Sequence, residues 1–315
     1  LPPKRIEKFF KGRKVLITGA TGHFGSVLTR FLCRAGAQVT ALVRPKADLR
    51  RIQDITAQVE FYRADIRDKN MIRLAERIGS ADIFYHLAAY GVAAVDNDPQ
   101  IILETNVQGT LNALELARKL NVRRFVYCGS CFEYGSGRNL SEKSRLNPLS
   151  EYGVSKAAGG ILAQAFGRKY GVPVVSLRPF TLYGPAEGPQ RLMSHVITSV
   201  LAGQDVTLTS ALHKRDFVFV EDAAQAFLCA AMARGIDGQT LNVASGRAVA
   251  VKDVVATIMR LMKARAKVQF EAIALRPTDV PVLSGSTRKA KEFLRWEAAT
   301  SLEKGIGQTL ASIRP

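Results

Sequence analysis

The chain has 315 residues, 47% of them apolar and 23% charged, with 45 Lys and Arg against 27 Asp and Glu for a net charge of +18. That composition excludes intrinsic disorder, collagen-like repeats and long coiled coils, and the length suits one large core with an attached lobe or two modest domains. No stretch approaches the run of about eighteen apolar residues that a membrane span requires, and four cysteines are too few for a disulfide scaffold. The start, Leu1–Phe10, is basic and offers only Phe9–Phe10 where a signal peptide needs a longer apolar run, so a cytoplasmic, reducing setting is expected. The bases are scattered. The densest clusters, Lys4–Arg5 to Lys14 and Lys263–Lys267, are short. They suit a solvated surface or a basic funnel for an anionic metabolite, while nucleic-acid binding has only the charge balance behind it.

Up to about residue 178 two sequence periods alternate. Apolar runs bounded by turn residues predict strands at Val15–Thr18, Val39–Val43, Val59–Tyr62, Ile83–Leu87, Phe125–Tyr127 and Val174–Leu177. Amphipathic stretches such as Ser26–Arg34, Ile101–Lys119 and Val154–Tyr170 predict helices between them. Strands spaced by helices mean βαβ units and a parallel sheet, and the near-continuous apolar runs suit a sheet covered on both faces. After residue 178 the rhythm loosens. A helix at Met193–Ala202, strands at Val206–Leu208, Phe217–Val220 and Leu241–Val243, and helices at Asp222–Ala233, Lys252–Lys263 and Ser301–Ile313 fit a smaller lobe. The charged segment from Arg260 to Arg295 is expected to run over the surface. The reading is an α/β chain, with a doubly wound parallel sheet over 1–178 and a smaller, mainly substrate-binding α/β lobe over 179–315 that interleaves with it.

Directly after the first strand comes Gly19-Ala20-Thr21-Gly22-His23-Phe24-Gly25, followed by an apolar-periodic helix. Strand, glycines and helix at the head of a βαβ chain make a dinucleotide site of Rossmann type. The first glycine permits the tight turn and the middle one lets the backbone approach a pyrophosphate. The last allows close helix packing, with the phosphates resting on free N–H groups of the helix start. An NAD site usually has an acid at the end of the second strand for the ribose 2′-hydroxyl. Here Val43 holds that place and Arg44 follows, a guanidinium suited to a 2′-phosphate. NADP(H) is therefore favoured over NAD(H).

Tyr152-Gly153-Val154-Ser155-Lys156 sets a tyrosine and a lysine one helical turn apart, with Pro148 and Ser150 before them as a helix start would have. A free phenol ionises near pH 10, and a neighbouring ammonium acts to lower that value. In chain order the glycine turn, His86-Leu87-Ala88-Ala89, Asn106, Ser130 and Tyr152/Lys156 form one set. Later come Arg178-Pro179-Phe180-Thr181-Leu182-Tyr183-Gly184-Pro185, the segment Lys214–Asp222 containing Arg215-Asp216-Phe217, Asn242-Val243-Ala244-Ser245-Gly246, and Arg276-Pro277-Thr278-Asp279. Over nearly its whole length the chain resembles the extended short-chain dehydrogenase/reductases, the group of nucleotide-sugar epimerases, dehydratases and 4-ketoreductases.

The resemblance implies catalytic roles for Ser130, Tyr152 and Lys156. Tyr152 would exchange the proton of the sugar oxygen, Ser130 would hold that oxygen, and Lys156 would bind the nicotinamide ribose. It also implies that Gly19, Thr21, Gly22, His23, Phe24, Gly25, Arg44, Asp65, Ile66, Leu87, Ala88, Ala89, Asn106, Tyr152, Lys156 and Pro179 line the dinucleotide. Ser130, Tyr152, Thr181, Arg215 and Arg276 would meet a nucleoside-diphosphate sugar, with the two arginines clamping the diphosphate. A homodimer built from the helices after the fourth and fifth strands is implied as well. The family's dehydratases place acids directly after the catalytic hydroxyl. Cys131 and Phe132 stand there instead, which argues against 4,6-dehydration, and Glu133, one residue on, would face away from the site in an extended segment. Thr181 replaces the usual asparagine. Cys128-Gly129-Ser130-Cys131 is a C-x-x-C, but it follows the fifth strand, unlike a thioredoxin-type pair, and no second pair or histidine spacing suggests a metal. The expected activity is 4-epimerisation by transient hydride transfer at C4. The alternatives are an NADPH-dependent 4-keto-sugar reductase and, more distantly, a non-catalytic RNA-binding Rossmann module.

Overall fold

Each apolar run of the first half becomes a strand of one parallel sheet. The computed structural model describes residues 4–92 and 95–313, so Leu1–Pro3 of the basic start lie outside the described residues. In chain order the strands are β1 (Lys14–Thr18), β2 (Gln38–Val43), β3 (Val59–Arg63), β4 (Ile83–His86), β5 (Arg124–Cys128), β6 (Gly137–Leu140), β7 (Val174–Pro179), β8 (Thr181–Tyr183), β9 (Val206–Thr207), β10 (Lys214–Phe219), β11 (Thr240–Val243), β12 (Ala248–Ala250), β13 (Val268–Gln269) and β14 (Val282–Gly285). The helices are α1 (Lys4–Phe10), α2 (His23–Arg34), α3 (Leu74–Ile78), α4 (Pro99–Leu103), α5 (Gly109–Lys119), α6 (Glu151–Tyr170), α7 (Leu192–Leu201), α8 (Val220–Met232), α9 (Val251–Met262) and α10 (Leu302–Ile313).

The main sheet has seven strands in the order β11-β7-β5-β4-β1-β2-β3. Its order reverses between β1 and β4, the switch point where ligands of open α/β sheets bind beyond the strand ends. Alternate residues feed two cores: Val15 and Ile17 face α1, α2 and α8, while Leu16 faces the side of α5 and α6. The crossover from β2 to β3 is a run of 3₁₀ turns, Arg50–Gln58, rather than an α-helix.

A second sheet runs β12-β10-β14-β6, with β8 also paired to β10. β6 comes from the first half of the chain, and β11 returns from the second half to the main sheet beside β7. Phe217 and Phe219 of β10 pack with α7, α9 and α10 into a third core. The expectation that Arg260–Arg295 runs over the surface fails at Val282–Gly285. There Leu283, Ser284 and Gly285 are buried in a strand between β10 and β6, and the charges belong to the loops around it. Among the described residues, no helix is long and apolar enough to cross a membrane.

Candidate active site

β1 ends in a turn that demands glycine. Gly19 has φ +76°, in the left-handed region, and a Cβ there would lie 2.7 Å from the Ala88 amide nitrogen. Gly22 is the N-cap of α2 and its N–H donates to the Gly19 carbonyl at 3.1 Å. Gly25 comes so close that an added Cβ would sit 1.9 Å from the Gly19 oxygen. No side chain caps α2 and no acid occupies its first turn. Its N–H groups therefore stay available to an anion at the positive end of the helix. This cradle, which Cβ atoms would fill, fits a dinucleotide pyrophosphate. Thr21 is half-buried, and Phe24 packs edge-on against Phe227 with centroids 4.6 Å apart. His23 keeps a buried Nε2 without a partner. Burial first, then the charges of Arg191 and Arg51, hold its pKa down to about 4.

At the end of β2, Arg44 is exposed, and Arg63 of β3 donates to the Pro45 carbonyl at 2.7 Å. Asp65 spends its carboxylate on the Arg67 side chain, 2.7 Å at the shortest. That hydrogen bond, helped by the charges of Arg67 and Arg44, holds the Asp65 carboxyl below its usual range. Ile66 is buried, and its carbonyl takes the Asn112 amide at 2.8 Å.

Across the switch point, the N–H groups of Leu87 and Ala88 donate to the Thr18 carbonyl and hydroxyl at 3.2 and 3.3 Å, and Ala89 follows half-buried. His86 is fully buried between the hydroxyls of Thr18 and Thr110, and burial lowers its pKa to about 3. Asn106 sits in one π-helical turn, Glu104–Gln108, that joins α4 to α5. Its amide receives the Tyr90 N–H at 2.9 Å and donates to the Tyr90 carbonyl and the Ser155 hydroxyl, both at 2.8 Å. Asn106 thus ties the Leu87–Tyr90 loop to α6, and its side chain acts through that loop. Pro179, at the end of β7, is buried.

Ser150 caps α6 by accepting the Gly153 N–H at 3.1 Å, which sets Tyr152 in the first turn and Lys156 one turn on. A Cβ at Gly153 would lie 2.6 Å from the Phe132 carbonyl, so α6 presses against the turn that carries Ser130. The Phe132 and Tyr152 rings meet edge-on, centroids 6.2 Å apart. Lys156 is buried, its Nζ 4.6 Å from the centre of the Tyr127 ring. Burial lowers the Lys156 pKa, while Cys128 and Glu133 oppose that shift.

The expected depression of the Tyr152 phenol does not hold. Burial pushes its pKa above the ordinary value and Cys128 adds to the rise, against the Ser130 hydroxyl and the Arg191 charge. The two thiols of the C-x-x-C are free, and burial raises them to about 11 for Cys128 and about 12 for Cys131. Neither has the low pKa of a reactive thiolate. Among the described residues, no group of His, Cys, Asp and Glu could hold a metal ion.

On the far side of the cleft, Thr181 is half-buried in β8 opposite Phe217. Arg215 anchors one nitrogen on the carbonyls of Val280 and Lys214, at 2.7 and 2.9 Å, with Cys131 among the groups acting on it. Arg276 is exposed, in a turn whose N–H is held by Asp279 at 3.0 Å. No hydrogen bond or ion pair joins the Arg276 side chain to the Ser130–Tyr152 group among the described residues.

Glu187 and Arg191 were not singled out from the sequence. The loop from Gly184 to Arg191 folds back over the glycine turn, and Arg51 holds it through the Ala186 carbonyl at 3.0 Å. Arg191 pairs with the buried Glu187 at 3.4 Å, and its charge acts on His23, Cys131 and Tyr152. The only hint in the sequence is a Gly/Pro-rich run ahead of a helix.

The model of the NAD dependent epimerase/dehydratase family matches residues 15–244, a span that takes in the cradle, Ser130, Tyr152 and Lys156. The chain belongs to that family. Among its members, the UDP-glucose 4-epimerase of Streptomyces lividans is 30% identical, over 90% of this chain and 91% of its own. The crystal structure of UDP-glucose 4-epimerase from Thermotoga maritima with UDP-glucose superposes with a TM-score of 0.88 at 26% identity, covering 95% of this chain and 97% of that one. That of UDP-glucuronic acid 4-epimerase from Bacillus cereus, with UDP-glucuronic acid and NAD, gives 0.86 at 25% identity over 95% and 98%. The family epimerases and this chain share the seven-stranded Rossmann sheet and the smaller second sheet.

Proposed function

We propose that the chain is a nucleotide-sugar 4-epimerase that binds a nicotinamide dinucleotide over the Gly19–Gly25 cradle and a UDP-sugar between Ser130 and β8. The observation that supports it most is the packing of α6 against the Ser130 turn, which sets Tyr152 and Ser130 side by side at the switch point. When bound, the dinucleotide supplies reversible hydride acceptance. The chain supplies the rest. Ser130 donates a hydrogen bond to the sugar 4-oxygen, and Tyr152 takes up or returns the proton of that oxygen. Lys156, one helical turn from Tyr152, orients the ribose. Thr181, Arg215 and Arg276 face the diphosphate and sugar. Arg44 favours a 2′-phosphorylated dinucleotide, and the exposed Leu103, Val154 and Ile161 on neighbouring turns of α4 and α6 suit a homodimer contact.

Arg44 supports a second reading, a 4-keto-sugar reductase that consumes a 2′-phosphorylated dinucleotide, with Tyr152 giving its proton to the 4-keto oxygen. The test is to incubate the protein with UDP-glucose or UDP-galactose and no added dinucleotide. Interconversion supports the epimerase. Stoichiometric NADPH loss with a 4-keto-sugar, and no interconversion, replaces it with the reductase.

A further inference from the structure

We propose, resting on the reading above, that Glu133 is a positioning residue for proton transfer at the sugar oxygen, acting by fixing the Ser130 backbone. Ser130 caps a single 3₁₀ turn, Cys131–Glu133, too short to hold its own shape. The Glu133 side chain bends back along this turn, so that its Oε1 accepts the Ser130 N–H at 2.8 Å while the Ser130 Oγ accepts the Phe132 N–H at 3.2 Å.

The other carboxylate oxygen takes the Arg178 Nε at 2.6 Å. Arg178 passes the connection to the Tyr134 hydroxyl at 2.9 Å, and Tyr134 donates to Asn242 of β11 at 2.8 Å. The turn bearing the Ser130 hydroxyl is thereby tied to β7 and β11 through one carboxylate. Glu133 is 1% exposed, and its Oε1 lies so near Gly129 that a Cβ there would be 2.4 Å away. A carboxylate buried this completely is costly, and an apolar pair in its place is often no less stable. Arg178 accounts for one of its oxygens. The Ser130 N–H accounts for the other.

The experiment compares Glu133→Gln with the double variant Glu133→Leu/Arg178→Met, which removes both buried charges and so spares the fold an unpaired ion. Steady-state kinetics use UDP-glucose. Hydrogen exchange at the Ser130 amide is a further readout that needs no substrate. We expect kcat to fall on the order of 10- to 100-fold in both variants, with KM changed less than about threefold. The Ser130 amide should exchange faster in the double variant. Wild-type kcat in the double variant would show that Glu133 merely neutralises Arg178 and would overturn the proposal. Unchanged exchange at the Ser130 amide would overturn it as well. If the wild-type chain does not convert UDP-glucose, the functional reading falls, and amide exchange still decides whether Glu133 holds the Ser130 turn.

Discussion

Adding one carbon at Gly25 probes the cradle most directly. The Cβ of Gly25→Ala would lie 1.9 Å from the Gly19 oxygen, 2.8 Å from its carbonyl carbon and 3.1 Å from the Ala20 Cα. All three are backbone atoms, so no rotamer relieves the clash, and α2 must draw back from the turn by about 1 Å or more. Overpacking of this kind costs about 1–3 kcal/mol, which in a chain of this size lowers Tm by roughly 2–10 °C. The helix start is held by the Ser26 N–H to the Gly22 carbonyl at 2.9 Å and by Thr29 to the Gly25 carbonyl at 2.8 Å. It therefore moves as a unit and carries its N–H groups off the phosphate position. A displacement near 1 Å is worth on the order of 100-fold where geometry is set this closely. Titration calorimetry with NAD and NADP should show at least a tenfold loss of affinity in a chain that still melts cooperatively. Gly307→Ala, with nothing within 4 Å of the new carbon and a place inside α10, serves as the control. It should bind normally and melt no lower than the wild type. A Gly25→Ala chain that binds dinucleotide as tightly as the wild type would refute the cradle as the pyrophosphate site.

Tyr152→Phe should lose about 10²- to 10⁴-fold in kcat while keeping dinucleotide affinity, since only the proton-carrying oxygen is removed; an active phenylalanine variant would exclude Tyr152 as the acid–base group. Burial pushes the Glu187 carboxyl up to about 7 from an ordinary 4.5. The unfolded chain therefore loses this proton first, and stability falls as pH rises from about 4.5 to 7, by up to about 3 kcal/mol. Glu187→Gln should be the more stable form at pH 8 and equal to the wild type near pH 4 in denaturant melts, and parallel pH profiles would contradict this. Arg44→Ala should weaken NADP relative to NAD by on the order of tenfold in a fluorescence titration; an unchanged ratio would remove Arg44 from cofactor choice.

The main sheet was legible because its strands are buried on both faces and announce themselves as apolar runs. β1 to β5 and β7 fall within a residue or two of the expected bounds. Of the second sheet only β10 was legible, expected at Phe217–Val220 and found at Lys214–Phe219. β6 reads Gly-Arg-Asn-Leu with two exposed residues, β8 and β12 have three residues each, and β14 hides among charges. β14 and β6 pair across more than 100 residues, β8 and β12 reach β10 across more than 30, and no local period encodes either. Within the site, Ser130, Tyr152 and Lys156 could be found because their order and spacing along the chain carry the pattern. The protonation of Tyr152 could not, since it depends on how deeply three elements bury one hydroxyl. Glu133 was lost for a similar reason: its bond to the Ser130 N–H depends on a one-turn helix that no period in the sequence announces.

Several of the motifs behind the family resemblance turn out to hold the two sheets together. Asp216 of β10 is fully buried and accepts four bonds: from the Ser245 N–H at 2.8 Å and hydroxyl at 2.6 Å, the Gly246 N–H at 3.0 Å, and the Gly285 N–H of β14 at 3.2 Å. The turn after β11 in the main sheet is thus locked to two strands of the second sheet by a single carboxylate. Asp222, six residues on, receives the Thr300 N–H and hydroxyl at 2.8 and 3.0 Å, while its own carbonyl takes the Trp296 indole at 2.9 Å. That fixes the approach to α10. Charge-assisted bonds of this kind are among the stronger ones in proteins, and a buried acceptor left without them carries its full desolvation cost. The seam they close also carries Arg215, the neighbour of Asp216. Under the proposed function a rigid join between the sheets is a condition for the site, because Ser130 and Tyr152 belong to elements around the first sheet and Thr181 and Arg215 to strands of the second.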